Sequence, residues 1–121
     1  MADETEKIVA QGLLYDFYGS LLTAHQQKIY ELAVYNDFSL SEIAEAEQVS
    51  KQAVHDLLRR TTAILESYEE RLHMIRRFQK IEALCGEAER AAAQDGAAPD
   101  AARQMYLTSI QRIREELTDG I

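Results

Sequence analysis

Tryptophan is absent from the 121 residues, and cysteine and proline occur once each. The lone Cys85 excludes an internal disulfide and a disulfide-stapled fold. One proline and five scattered glycines punctuate the chain so lightly that long helices with short connections are expected. No window approaches about 18 consecutive apolar residues, which excludes a membrane-spanning helix. The opening Met-Ala-Asp-Glu-Thr-Glu has neither a basic region nor an apolar run, so no secretory signal is expected. With the single cysteine, these absences point to the cytoplasm.

Catalytic and metal-binding patterns are missing as well. His25, His55 and His73 stand far apart, none in a His-x-x-x-His spacing, and Cys85 has no nearby partner. It fits a small core residue better than a nucleophile. Gly12, Gly19, Gly86, Gly96 and Gly120 are isolated, so there is no glycine-rich phosphate loop. The pairs Glu69-Glu70 and Glu115-Glu116 suit solvated helix faces. No enzyme, metal or cofactor is expected.

What is present is a 46% apolar composition in a chain the length of one ordinary domain. The formal charge is −8, unevenly spread. Residues 1–50 carry nine acids against two bases, and residues 81–121 eight against four; only residues 51–80 are basic, with seven bases against four acids. Such a block is either a binding surface or the solvated face of a long helix.

Apolar periodicity predicts a first helix over Ile8–Leu22, with Val9, Leu13, Phe17 and Leu21 on its inner face and Leu14 and Tyr18 beside them. Thr23-Ala-His-Gln26 fits a capping box, opening a helix from Ala24 to about Tyr35 that buries Ile29, Leu32 and Ala33. After a turn at Asn36-Asp37, Ser39-Leu-Ser-Glu42 is a second capping box for a short helix. Glu47-Gln48-Val49 breaks that helix, and Ser50 caps the next. No stop signal follows. Leu65, Tyr68, Leu72 and Ile75 continue its stripe, and Phe78, Ile81 and Cys85 carry it round, which predicts one helix running to about residue 90. Residues 91–100, with a glycine and the only proline, are expected to be a loop. A last helix over 101–118, capped by Asp100, would bury Tyr106, Ile110, Ile113 and Leu117. The expected fold is all-α: a three-to-four-helix bundle with one long central helix and a C-terminal helix.

Residues 23–60 have the layout of a helix-turn-helix unit. Its core would be Leu40, Ile43, Ala44, Val49, Val54, Leu57 and Leu58, with small Ala44 letting two axes approach and Val49 plugging the wedge. The outer face of the following helix would then carry Ser50, Lys51, Gln52, His55, Arg59 and Arg60. Gln52 can read adenine through both ends of its amide, and Lys51 or Arg59 can take guanine or phosphate. Ser50 and its free helix-terminal amides suit a phosphate oxygen. Asp56, on the same face, is repelled by phosphate unless it accepts from a cytosine amino group.

The stretch LLYDFYGSLLTAHQQKIYELAVYNDFSLSEIAEAEQVSKQAVHDLLRRTTAILESYEERLHM resembles the YlxM-type proteins, small bacterial helix-turn-helix proteins encoded beside the signal recognition particle genes. The pieces that carry the resemblance include Phe17-Tyr18, Leu22-Thr23, Gln26, Glu42-Ile43-Ala44, Val49-Ser50, Gln52-Ala53-Val54, Arg60-Thr61 and Tyr68-Glu69. Through that family the unit also looks like the fourth region of bacterial sigma factors. The resemblance implies a regulatory or accessory role connected with the signal recognition particle pathway, and no catalytic residues. Two departures stand out. Glu47-Gln48 replaces an aromatic-glycine pair in the turn, where glycine reaches positive φ freely and glutamine costs about 1 kcal/mol. His55 replaces a tyrosine or another large residue.

Two function classes remain open: a nucleic-acid binder, of DNA or RNA, through the Lys51–Arg60 surface, and a non-catalytic protein adaptor of the targeting machinery. A homodimer is expected too. A helix of about 30 residues spans about 45 Å, longer than such a domain is wide. Its distal stripe of Tyr68, Leu72, Ile75 and Phe78 therefore needs a partner. The alternative is a monomer in which the last helix covers that stripe.

Overall fold

The computed structural model describes residues 4–93 and 99–118. The fold is all-α, with six helices and one 3-10 turn and no strand among the described residues. Two compact units divide the chain, Met1–His73 and Met74–Ile121, where length alone suggested one domain.

In the first unit, α1 spans Glu4–Tyr18 and ends in a 3-10 turn, Gly19–Leu21. Its buried side is not the aliphatic stripe expected from spacing. Tyr18 is buried as expected, but Val9 and Leu21 are exposed and Tyr15 is buried in their place. Tyrosine wins because its ring is apolar and its hydroxyl finds partners here. The Tyr15 ring stacks on Tyr30 at 5.6 Å and meets Tyr35 edge-on at 5.4 Å. Tyr18 donates to Glu69 at 2.5 Å, and Tyr30 shares a 2.7 Å hydrogen bond with Thr62. Tyr35 hydrogen-bonds to Asp16. Burial, with the Glu31 carboxylate beside it, pushes the Tyr15 hydroxyl up to about 12. Partial burial and Asp16 do the same to Tyr35, and burial raises Tyr30. Gly19 leaves room for this packing: a Cβ there would stand 2.8 Å from the Tyr15 ring.

Helix α2 spans Ala24–Val34 and opens with the expected capping box, in which the Gln26 amide N–H donates to the Thr23 hydroxyl and the Thr23 N–H to Gln26 Oε1. Helix α3, Leu40–Glu47, opens the same way from Ser39 and Glu42. Those hydrogen bonds to Ser39 hold the Glu42 carboxyl below its usual value. Helix α4 spans Lys51–Leu72, with Ser50 accepting from the Ala53 N–H at 3.0 Å. It is the long central helix, and fully buried Leu65 anchors its middle.

The expected continuation to residue 90 is interrupted. His73 adopts left-handed φ 56°, ψ 29°, with its N–H donating to the Glu69 carbonyl, and α5 starts afresh as Met74–Ala93. Neither glycine nor proline marks the break, so hydropathy continues through it. It divides the stripe proposed as a dimer seam. Tyr68 and Leu72 fall in the first unit, Ile75 and Phe78 in the second. Tyr68 lies 6.0 Å from the Tyr18 ring and Ile75 is buried, whereas Leu72 and Phe78 are half exposed.

The second unit pairs α5 with α6, Pro99–Thr118. Within the expected loop at 91–100, residues 91–93 and 99–100 are helical; residues 94–98 lie outside the described residues. Asp100 lies inside the first turn rather than capping it. Ion pairs Lys80–Glu116 at 3.0 Å and Arg112–Glu87 at 3.4 Å fix an antiparallel register. Of the expected α6 stripe, Tyr106 and Ile113 are half-buried. Ser109 and Glu116 are buried, whereas Ile110 and Leu117 are exposed. The Glu116 carboxylate tolerates burial because Lys80 reaches it. Cys85, expected in a core, is exposed. No helix among the described residues is long and apolar enough to cross a membrane.

Candidate nucleic-acid interface

The N-terminal turns of α4 owe their position to a small core. Ile29, Ile43, Ala44 and Val54 are buried together, with Leu32, Ala33, Leu40, Leu57 and Leu58 packed around them. Of the residues expected at this junction, Leu40, Ile43, Ala44, Val54, Leu57 and Leu58 lie in this cluster. Val49 is the exception: it is 49% exposed and borders a notch of about 90 Å³ shared with His25 and Leu57. The hinge is held by backbone instead. Gln48 takes φ 56°, ψ 45°, its N–H donates to the Ala44 and Glu45 carbonyls, and the Val49 N–H donates to Ala44 at 3.0 Å. Those bonds end α3 in the manner glycine normally serves, so the wedge needs no plug.

Left-handed Gln48 makes one test direct. Gln48→Gly should raise stability by about 0.5–1 kcal/mol, because it relieves a Cβ clash larger than the entropy glycine adds to the unfolded chain. Urea melts of both proteins measure the difference. A loss of stability would mean that the turn is not strained.

Lys51, Gln52, His55, Arg59 and Arg60 are all exposed. The Ser50 oxygen is occupied by its capping bond, which leaves its proton free to donate. Four of these residues are tied to Asp56. Gln52 Nε2 donates to Asp56 Oδ1 at 3.0 Å, and the same oxygen lies 3.7 Å from His55 Nδ1 and 3.8 Å from Arg59 Nη2. Arg60 Nε donates to the Asp56 carbonyl at 3.4 Å. Beside this face runs a groove of about 540 Å³ bordered by Lys7 and Gln11 of α1 and by His55, Arg59 and Thr62 of α4. Sequence reasoning missed Lys7 and Gln11, because nothing in their spacing places α1 beside the outer face of α4. Among the described residues no cluster of His, Cys, Asp or Glu could hold a metal ion.

A short capped helix, a left-handed turn and a second capped helix sharing one apolar core define a helix-turn-helix protein. Comparison with known proteins agrees. Residues 5–105 match the family described as "Putative helix-turn-helix protein, YlxM / p13 like". The chain is similar to the UPF0122 protein YlxM of Bacillus subtilis, 49% identical over 75 residues, which cover 62% of this chain and 68% of that protein. It is also similar to a UPF0122 protein of Oceanobacillus iheyensis, 48% identical over 80 residues, 66% of this chain and 73% of the relative. The chain belongs to the UPF0122 family of YlxM / p13-like helix-turn-helix proteins.

Proposed function

We propose that this protein binds nucleic acid through the first three turns of α4, as a regulatory or accessory factor in the cytoplasm. The observation that carries this reading is the exposed row of Lys51, Gln52, His55, Arg59 and Arg60 on a helix braced by α3. Cations give phosphate affinity, and Gln52 supplies a base-reading amide. The resemblance drawn from the sequence connects that role with the signal recognition particle pathway. Replacing Lys51 and Arg59 together by Ala should weaken binding to a mixed-sequence duplex. It should also flatten the dependence of log K on log salt by roughly 2, about 1 for each phosphate no longer neutralised. An unchanged slope at full affinity would move the interface elsewhere.

A second reading, a protein adaptor without nucleic acid, is favoured by one observation. Glu42 and Glu45 are exposed on α3, and the whole chain carries a net −8. A pull-down repeated after nuclease treatment separates the two: a partner that survives nuclease is held by protein.

The protein also acts as a homodimer, in this reading. Half-exposed Leu72 supports it, since it is a large apolar side chain left in water near the end of α4. Sedimentation equilibrium should give about twice the chain mass of 13.8 kDa. Leu72→Glu should return a folded monomer. A wild-type mass near that of one chain contradicts the dimer.

A further inference from the structure

We propose that Asp56 sets the specificity of the α4 face: it suppresses generic phosphate binding and admits duplexes that offer a cytosine amino group. The inference rests on the nucleic-acid reading given above. Asp56 is the one acid among Lys51, Gln52, His55, Arg59 and Arg60, and it sits at their centre. Its Oδ1 gathers Gln52, His55 and Arg59 within 3.0–3.8 Å, and its carbonyl takes Arg60. Two consequences follow from that geometry.

Arg59, held against a carboxylate, meets a phosphate only by giving up an ion pair, and the carboxylate repels the same phosphate. Generic binding is thereby weakened. Gln52 is altered as well. One of its two Nε2 N–H donors is spent on Asp56, which ties its amide to the carboxylate and leaves the other N–H and Oε1 for a base edge. None of the contacts above uses Asp56 Oδ2, and an acceptor at that point of a recognition helix matches the N4 amino donor of cytosine. A site with cytosine there offsets the repulsion; a random site does not.

Asp56→Asn keeps an Oδ1 that can still accept from Gln52, removes the charge and replaces the Oδ2 acceptor by an amide donor. Fluorescence anisotropy with a mixed-sequence duplex at two salt concentrations should show the variant binding roughly 3- to 10-fold tighter than wild type. Its salt slope should be steeper by about 1. Selection from a randomised duplex pool should enrich cytosine at one position with the wild type and lose that preference with the variant. Unchanged affinity and slope in Asp56→Asn overturn the proposal, as does the same base preference in both proteins. If the Lys51 and Arg59 replacements still weaken binding, that failure is confined to Asp56. If no protein binds the duplex, the interface itself is wrong and the role of Asp56 falls with it.

Discussion

Raising the pH through the tyrosine range should unfold the first unit. Tyr15 titrates near 12 in the folded chain and near 10 when exposed. Below pH 10 both states hold the proton and the stabilisation is fully present. Between 10 and about 12 the unfolded chain ionises while the folded one does not, so stability falls with rising pH. The folded chain holds this proton more tightly than the unfolded one, so each step up through the window weakens the fold. Tyr30 and Tyr35 are shifted in the same direction and add to the loss. Denaturant melts across this window, followed by helical circular dichroism, should show the decline, and tyrosinate absorbance should rise in step with unfolding. Tyr15→Phe, which has no proton to lose, should lessen the pH dependence. Flat stability through the window would contradict the burial assigned to Tyr15.

Filling the junction of α3 and α4 should be nearly as damaging. Ala44 is 9% exposed, shares a cluster with Ile29, Ile43 and Val54, and supplies the carbonyl that both Gln48 and Val49 use to close the turn. Ala44→Leu adds three heavy atoms where the neighbours cannot retreat without breaking those bonds. Overpacking of this kind costs about 1–3 kcal/mol. Ala44→Ser, close in volume, should cost less than leucine does. An unchanged melting temperature for the leucine variant would remove the packing argument for this segment.

The helix-turn-helix unit was legible because its boundaries are written in side-chain hydrogen bonding. Thr23 with Gln26, Ser39 with Glu42 and Ser50 each satisfy amides that a helix start leaves open. The left-handed turn was legible through the family resemblance, because Gln48 stands where that family has a turn glycine. Other features depend on partners that are distant in sequence. Val9 and Tyr15 differ in hydropathy in a way that favours burying valine, yet Tyr15 is inside because Tyr30, Tyr35 and Glu31 meet it there. The inward face of α6 is set by Lys80 reaching Glu116, a pairing 36 positions apart that an apolar count ignores. His73 breaks the central helix without the glycine or proline that normally announces a break. At the interface, the side chains were identifiable by type, but their convergence on Asp56 was not, since it requires rotamers as well as register.

The central claim is that nucleic acid docks on the N-terminal turns of α4. Amide chemical-shift mapping by NMR, with a mixed-sequence DNA duplex titrated into the full chain at low salt, tests it most directly. The account predicts shifts concentrated between Ser50 and Arg60, with weaker changes at Lys7 and Gln11 along the adjoining groove. Shifts confined to α5 and α6, or none at saturating duplex, would contradict it.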